Sequence, residues 1–252
     1  MSQDNIDHLI NHLANEHGVA LRTMTFGISI SLASLSAGIA LGDGTADLDK
    51  RTPAISAQYR VGFLTRKSTA LRTTDFGSEY ISGLNAWTGK SKNIGIGLTE
   101  YQSRTHFTQV DAAANTSWTD ATLTFRYMWF YPTIIIGDGA ISIVKDDAPV
   151  VSALCLTAGF GLDFRVPASQ YVITTAGAKY VKPRRNFGNE TEESVLGYRS
   201  DYMLEVAFFP SLEWMSVVAG YRARFYQVRV ANEFVTETEL GPNLGLSFQY
   251  DL

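Results

Sequence analysis

Leu-Gly-Leu-Ser-Phe-Gln-Tyr-Asp-Leu, residues 244–252, closes the chain with an apolar or aromatic side chain at every second position. Leu244, Leu246, Phe248, Tyr250 and Leu252 fall on one face, and Gly245, Ser247, Gln249 and Asp251 on the other. A period of two belongs to a strand, whose successive side chains point to opposite faces. A helix would scatter the same residues around its circumference. The run therefore reads as a strand with a different surrounding on each side.

The same alternation recurs upstream. In 54–65, Ile55, Ala57, Tyr59, Val61 and Phe63 oppose Ser56, Gln58, Arg60 and Gly62. In 118–131, Ala121, Leu123, Phe125, Tyr127, Trp129 and Tyr131 oppose Asp120, Thr122, Thr124 and Arg126. Segment 150–165 sets Val150, Leu154, Leu156, Phe160, Leu162 and Phe164 against Cys155, Thr157, Gly159, Gly161, Asp163 and Arg165. Segment 213–226 sets Met215, Val217, Ala219, Tyr221 and Phe225 against Ser216, Gly220, Arg222 and Arg224. Thr23 to Gly42 is a charge-free stretch long enough for a membrane helix. Its first ten residues nonetheless alternate strictly, so it too reads as a strand.

The chemistry of the two faces decides the class. Beside bulk water, the second face would carry mostly Lys, Glu and Thr. Here it is rich in Gly, Ser and Thr, with Arg and Asp, while the first face is large, aliphatic and aromatic. A transmembrane barrel has lipid outside and a confined polar lumen inside, and its closure removes the unpaired strand edges that hydrocarbon does not tolerate. The alternative, a soluble barrel or sandwich, would crowd these aromatics into one core.

Composition agrees. The 252 residues carry a net charge of −4 and 18% charged residues, against roughly 25% in ordinary soluble domains. Aromatics reach 12%, yet mean hydropathy is −0.03. The negative charge argues against a nucleic-acid binder, which needs a clustered basic surface, and the combination excludes a helical membrane bundle and a disordered chain. The one cysteine, Cys155, rules out an intramolecular disulfide.

Strands are expected at 21–33, 54–65, 69–82, 93–101, 103–111, 117–131, 133–144, 150–165, 170–182, 197–209, 212–230 and 243–252. That makes an all-β, closed antiparallel transmembrane barrel of about 12 strands. Segments 69–82, 103–111 and 133–144 alternate poorly, which leaves ten as the other count. Short links at 64–68, 130–133, 164–169 and 208–213, against longer ones at 34–53, 83–92, 183–196 and 231–242, predict unequal rims.

Together, the alternation and the final run LGLSFQYDL resemble bacterial outer-membrane β-barrel proteins. Leu246, Phe248, Tyr250 and Leu252 look like the C-terminal signal read by the barrel-assembly machinery, with Leu in place of the usual terminal Phe. A narrower resemblance is to solitary autotransporter-type translocator barrels, which carry an N-terminal helix through a 12-stranded pore. Residues 4–17 fit such a helix, with Asp4 as cap, an Ile6, Leu9, Ile10 and Leu13 stripe, and Gly18 as stop. The division expected is a helix in 1–18 and a barrel in 19–252. The resemblance implies a non-enzymatic pore or membrane anchor plugged by its helix, without cofactor or metal. It implies a monomer in the outer membrane, in contact with lipid and lipopolysaccharide, its export signal already removed. A small-solute channel and a structural or surface-recognition barrel are the alternatives.

No catalytic constellation stands out. His8 and His12 have the i,i+4 spacing of a zinc pair but lack a protease glutamate, and read as polar-face residues. His106 has no evident serine or acid partner. GIG at 95–97, GDG at 137–139 and GFG at 159–161 are not phosphate loops. The candidate site is the lumen, where Arg60, Arg126, Arg165, Arg199, Arg222 and Arg224 are expected beside Glu100, Asp120, Asp163, Asp201 and Glu205. Such charges either pair across the interior as a plug or tune a selective pore.

Overall fold

The computed structural model describes residues 53–89, 92–169, 171–186, 195–209, 214–230 and 233–250. The expected helix in 1–18, the strand at 21–33 and Leu252 lie outside the described residues.

Ten antiparallel strands form the wall: β1 (Ile55–Ser68), β2 (Thr73–Thr88), β3 (Ile94–Phe107), β4 (Ala112–Phe125), β5 (Phe130–Lys145), β6 (Ala148–Ser169), β7 (Val172–Asn186), β8 (Val195–Phe208), β9 (Met215–Val230) and β10 (Glu233–Tyr250). Each strand pairs with its chain neighbours, and β10 returns to β1 to close the barrel. The closing seam runs from Ile55 opposite Tyr250 to Ser68 opposite Glu237. Every strand is thereby hydrogen-bonded on both sides, which removes the edges. The rim holding the start of β1 and the end of β10 is the lower rim here; the opposite one is the upper rim.

A row of paired residues followed from Tyr59 reaches β6 at Leu156 by way of Ser82, Glu100, Thr119 and Asp138. Followed the other way through Leu246, Val217, Phe208 and Val172, it reaches β6 at Ser169. That offset is the stagger that strand tilt imposes on a closed sheet.

Closure is complete with ten strands, and two expectations are corrected. The segments 93–101 and 103–111 are one strand, β3. Its outward residues change from Ile94, Ile96 and Leu98 to Glu100, Gln102, Arg104 and His106, which breaks the hydropathy pattern while the backbone runs on. Segment 117–131 ends at Phe125, and Tyr131 belongs to β5, where it points inward and is fully buried.

The contrast between short and long links is corrected as well. Residues 83–88 continue β2, and 233–242 are the first half of β10. The links at 64–68, 130–133 and 164–169 lie within strands. Pro149, Pro167 and Pro183 sit at register shifts, where a missing N–H is tolerated. The β5–β6 hairpin turns on Asp146 and Asp147, both with positive φ, the twist that suits a two-residue hairpin.

The outer wall carries an apolar band on its lower half. Phe63 at 77% exposure, Phe160 at 66% and Ile136 at 64% are bare on this surface. The band ends at a definite residue on several strands. Phe63 is followed outward by Thr65 and Lys67, Ala121 is preceded by Thr119 and Ser117, and Ile136 is followed by Asp138. Tyr127, Phe130, Tyr171, Phe208, Trp214, Phe248 and Tyr250 ring the lower rim. Above the band the strands continue as a mostly polar collar on which Phe76 and Phe234 are also exposed. This collar accounts for their length of 14 to 22 residues, against the roughly 9–11 needed to cross a bilayer.

Candidate functional site

The lumen is built from inward positions. In its upper part, Phe107, Ile143, Val151 and Val228 are fully buried and pack with Ile141, Ala153 and Cys155 into a dry cluster. Beside them Trp118 from β4 stacks on Tyr226 from β9. Gly139 makes room for this contact, since a Cβ there would overlap the Trp118 ring.

An ion network fills the remainder. Glu239 accepts from the Ser103 hydroxyl at 2.6 Å, the Tyr226 hydroxyl at 2.8 Å and the Arg66 guanidinium at 3.1 Å. Glu237 accepts from Ser68 at 2.6 Å and pairs with Arg66 at 3.3 Å. Arg224 bridges Asp201 at 2.9 Å, Glu79 at 3.1 Å and Glu239 at 3.3 Å. Arg199 reaches Asp120 at 2.5 Å and Asp201 at 3.2 Å, with its guanidinium 4.7 Å above the Trp118 ring. Arg222 and Arg224 each lie 4.7 Å from the Tyr101 ring centre. Each ion here has an opposite charge within 4 Å, the first condition under which buried charges are tolerable. Nitrogens of Arg66, Arg199, Arg222 and Arg224 nonetheless have no hydrogen-bond partner among the described residues.

Below the network the lumen opens toward the lower rim as a vestibule of about 200 Å³. Its ceiling is formed by Tyr101, Lys179, Arg222, Arg60 and Glu205, and Arg60 is ion-paired to Glu205. Lower down, Arg165 lies 4.4 Å over the Tyr131 ring and 3.6 Å from Asp163. Thr and Ser hydroxyls, Gln58, Asn85 and Gln249 complete the wall.

The structure brings Arg199, Asp120, Asp201, Arg222 and Arg224 together in the network, and Arg60, Glu205, Asp163 and Arg165 around the vestibule. Arg126 lies past the end of β4, in the lower-rim turn. Glu100 is a correction. It points outward and is exposed, with Gln102 donating to it at 2.6 Å, because its inward neighbours on β3 are Thr99 and Tyr101.

Arg66, Glu79, Lys179, Glu237 and Glu239 were not legible as lumen residues. For Arg66, the alternation Gly62, Leu64, Arg66, Ser68 was the available signal, hidden by reading 64–68 as a turn. For Glu237 and Glu239 it was the Thr-Glu-Thr-Glu run at 236–239, read as loop. Glu79 lies in a strand that alternates poorly.

Leu246, Phe248 and Tyr250 are exposed on the outer wall of β10, next to the closing seam, with Phe248 stacked on Trp214. His106 on the collar lies 3.6 Å from Asp111, both exposed.

No family model and no curated protein matches the chain. Among solved structures, it is similar to Neisserial surface protein A at 10% identity and a TM-score of 0.37, over 78% of this chain and 97% of that one. It is similar to the Escherichia coli outer-membrane protease OmpT at 8% identity and a TM-score of 0.47, over 79% and 98%. It is also similar to the translocator domain of the autotransporter NalP from Neisseria meningitidis at 12% identity and a TM-score of 0.42, over 88% and 97%.

Proposed function

We propose that the chain is a monomeric barrel of the bacterial outer membrane that acts as a closed anchor, holding its polar collar above the lipid. The observation that carries this reading is an apolar outer band around a lumen bridged from wall to wall. The band matches hydrocarbon outside, whereas the apolar cluster and ion network fill much of the upper lumen with side chains of the described residues. In this reading the collar meets lipopolysaccharide headgroups, and the barrel-assembly machinery reads Leu246, Phe248, Tyr250 and Leu252 along the outer wall.

A second reading, the autotransporter-type barrel plugged by residues 1–18, is favoured by one feature. Pro53, the first of the described residues, lines the lower-rim vestibule. A plugging segment in that reading reaches the vestibule alone, because side chains already occupy the upper lumen.

Reconstitution tests both. The full chain is expected to float with liposomes, to shift in gel mobility on heating, and to pass no current in planar bilayers. Steady single-channel conductance overturns the closed anchor. Solubility without detergent and the absence of a heat-dependent shift overturn the membrane barrel itself.

A further inference from the structure

The charges around the vestibule are unevenly paired among the described residues. Arg60 is spent on Glu205, and Arg222 on Glu79 at 3.5 Å. On the β6–β7 wall, Arg165, Asp163 and Gly161 alternate inward opposite Thr175, Gly177 and Lys179. Asp163 thus stands between two cations, 3.6 Å from Arg165 and beyond ion-pair distance of Lys179. Among the described residues, the hydrogen-bond partner of the Lys179 ammonium is the Tyr101 hydroxyl at 3.0 Å. Asp201, its register partner on β8, and Asp120 and Asp163 attract it without closing an ion pair among the described residues. Near the mouth, the Tyr131 hydroxyl is buried with no hydrogen-bond partner among the described residues. A lysine with no ion pair within 4 Å among the described residues, an arginine held 3.6 Å from its carboxylate and an unspent hydroxyl line the same cavity, donors suited to a negative oxygen-bearing group.

We infer that the vestibule is a binding site for a small oxyanion, carboxylate or phosphate in class, entering from the lower rim. Lys179 supplies the charge, Arg165 a second, directional set of donors, and Tyr131 a hydroxyl. Arg is suited to this because its planar fork matches two oxygens at once. The cavity, about 200 Å³, admits a small solute. The inference goes beyond the closed-anchor reading and does not depend on it: a barrel that conducts would still present this wall.

The test is titration of the detergent-solubilised full chain with inorganic phosphate, followed by calorimetry and phosphorus NMR. Saturable one-to-one binding is expected, weakened about tenfold or more in Lys179→Gln and in Arg165→Gln, the loss of one charge-assisted contact. Lys182→Gln, on the outer wall, is the control and is expected to bind as the parent does. Asp163→Asn is expected to bind phosphate more tightly, an effect that a merely structural role for this carboxylate would not produce. Each variant is first checked for the heat-dependent gel shift, and Tyr131→Phe, which removes only a hydroxyl, serves if Lys179→Gln does not fold. No saturable binding to the parent, binding unchanged in Lys179→Gln, or weaker binding in Asp163→Asn overturns the inference.

Discussion

Trp118 and Tyr226 stack across the full width of the barrel, their ring centres 5.3 Å apart and their planes 9° from parallel. The Trp118 indole N–H also donates to the Tyr226 hydroxyl at 3.2 Å. Their strands, β4 and β9, lie five places apart in a ring of ten, on opposite walls. The pair therefore ties the barrel together through its middle.

Trp118→Ala should remove this tie and leave a cavity where a fully buried indole stood. Large aromatic truncations in cores cost about 3–5 kcal/mol. The expected result is a lower melting temperature for the heat-dependent gel shift. Tyr226→Phe keeps the ring but withdraws the hydroxyl donated to Glu239, and should cost about 1–3 kcal/mol. Equal loss in both variants would show that the stack contributes nothing beyond its hydrogen bond.

Arg199 and Asp120 are both fully buried and ion-paired to each other, with Asp201 as the second carboxylate on Arg199. Asp120→Ala strands the guanidinium between Trp118 and Asp201, and should cost about 3–5 kcal/mol in denaturant unfolding from micelles. Replacing both partners, Asp120→Leu with Arg199→Met, should cost less than either single change. A double variant as unstable as the sum of the singles would mean that the pair is not the unit of stability.

Outward substitutions should separate band from collar. Ile136→Arg places a charge in the apolar band, with an expected penalty of up to about 2–4 kcal/mol if the site lies near the bilayer midplane. Ser117→Arg, on the collar side of Ala121, should shift stability by no more than about 0.5 kcal/mol. Indistinguishable penalties in liposomes would refute the placement of the band in lipid.

The seam offers a test of closure. A Cβ at Gly245 would run into the Tyr59 carbonyl and the Arg60 backbone. Gly245→Val should force β1 and β10 apart and abolish the heat-resistant compact band on gels. Survival of that band would show that the seam can yield by a shift of the backbone.

Strict alternation in 54–65, 150–165 and 244–250 determines from sequence alone that these segments are strands with one apolar and one polar face. A period of two is a local property of the backbone. The same alternation places Arg60, Asp163, Arg165, Arg222 and Arg224 opposite the aliphatic face. What it does not carry is height along the barrel. Glu100, Gln102 and Arg104 are outward because β3 has risen above the apolar band there, so a polar residue no longer marks the lumen. That change of surrounding split β3 into two expected strands, while the other strand beyond ten in the expected count, 21–33, lies outside the described residues. Likewise, Trp118 meets Tyr226, and Lys179 meets Tyr101, only because the ring closes at ten strands with a particular stagger. Partners on opposite walls depend on strand number and register together, and neither is encoded within the span of a single strand.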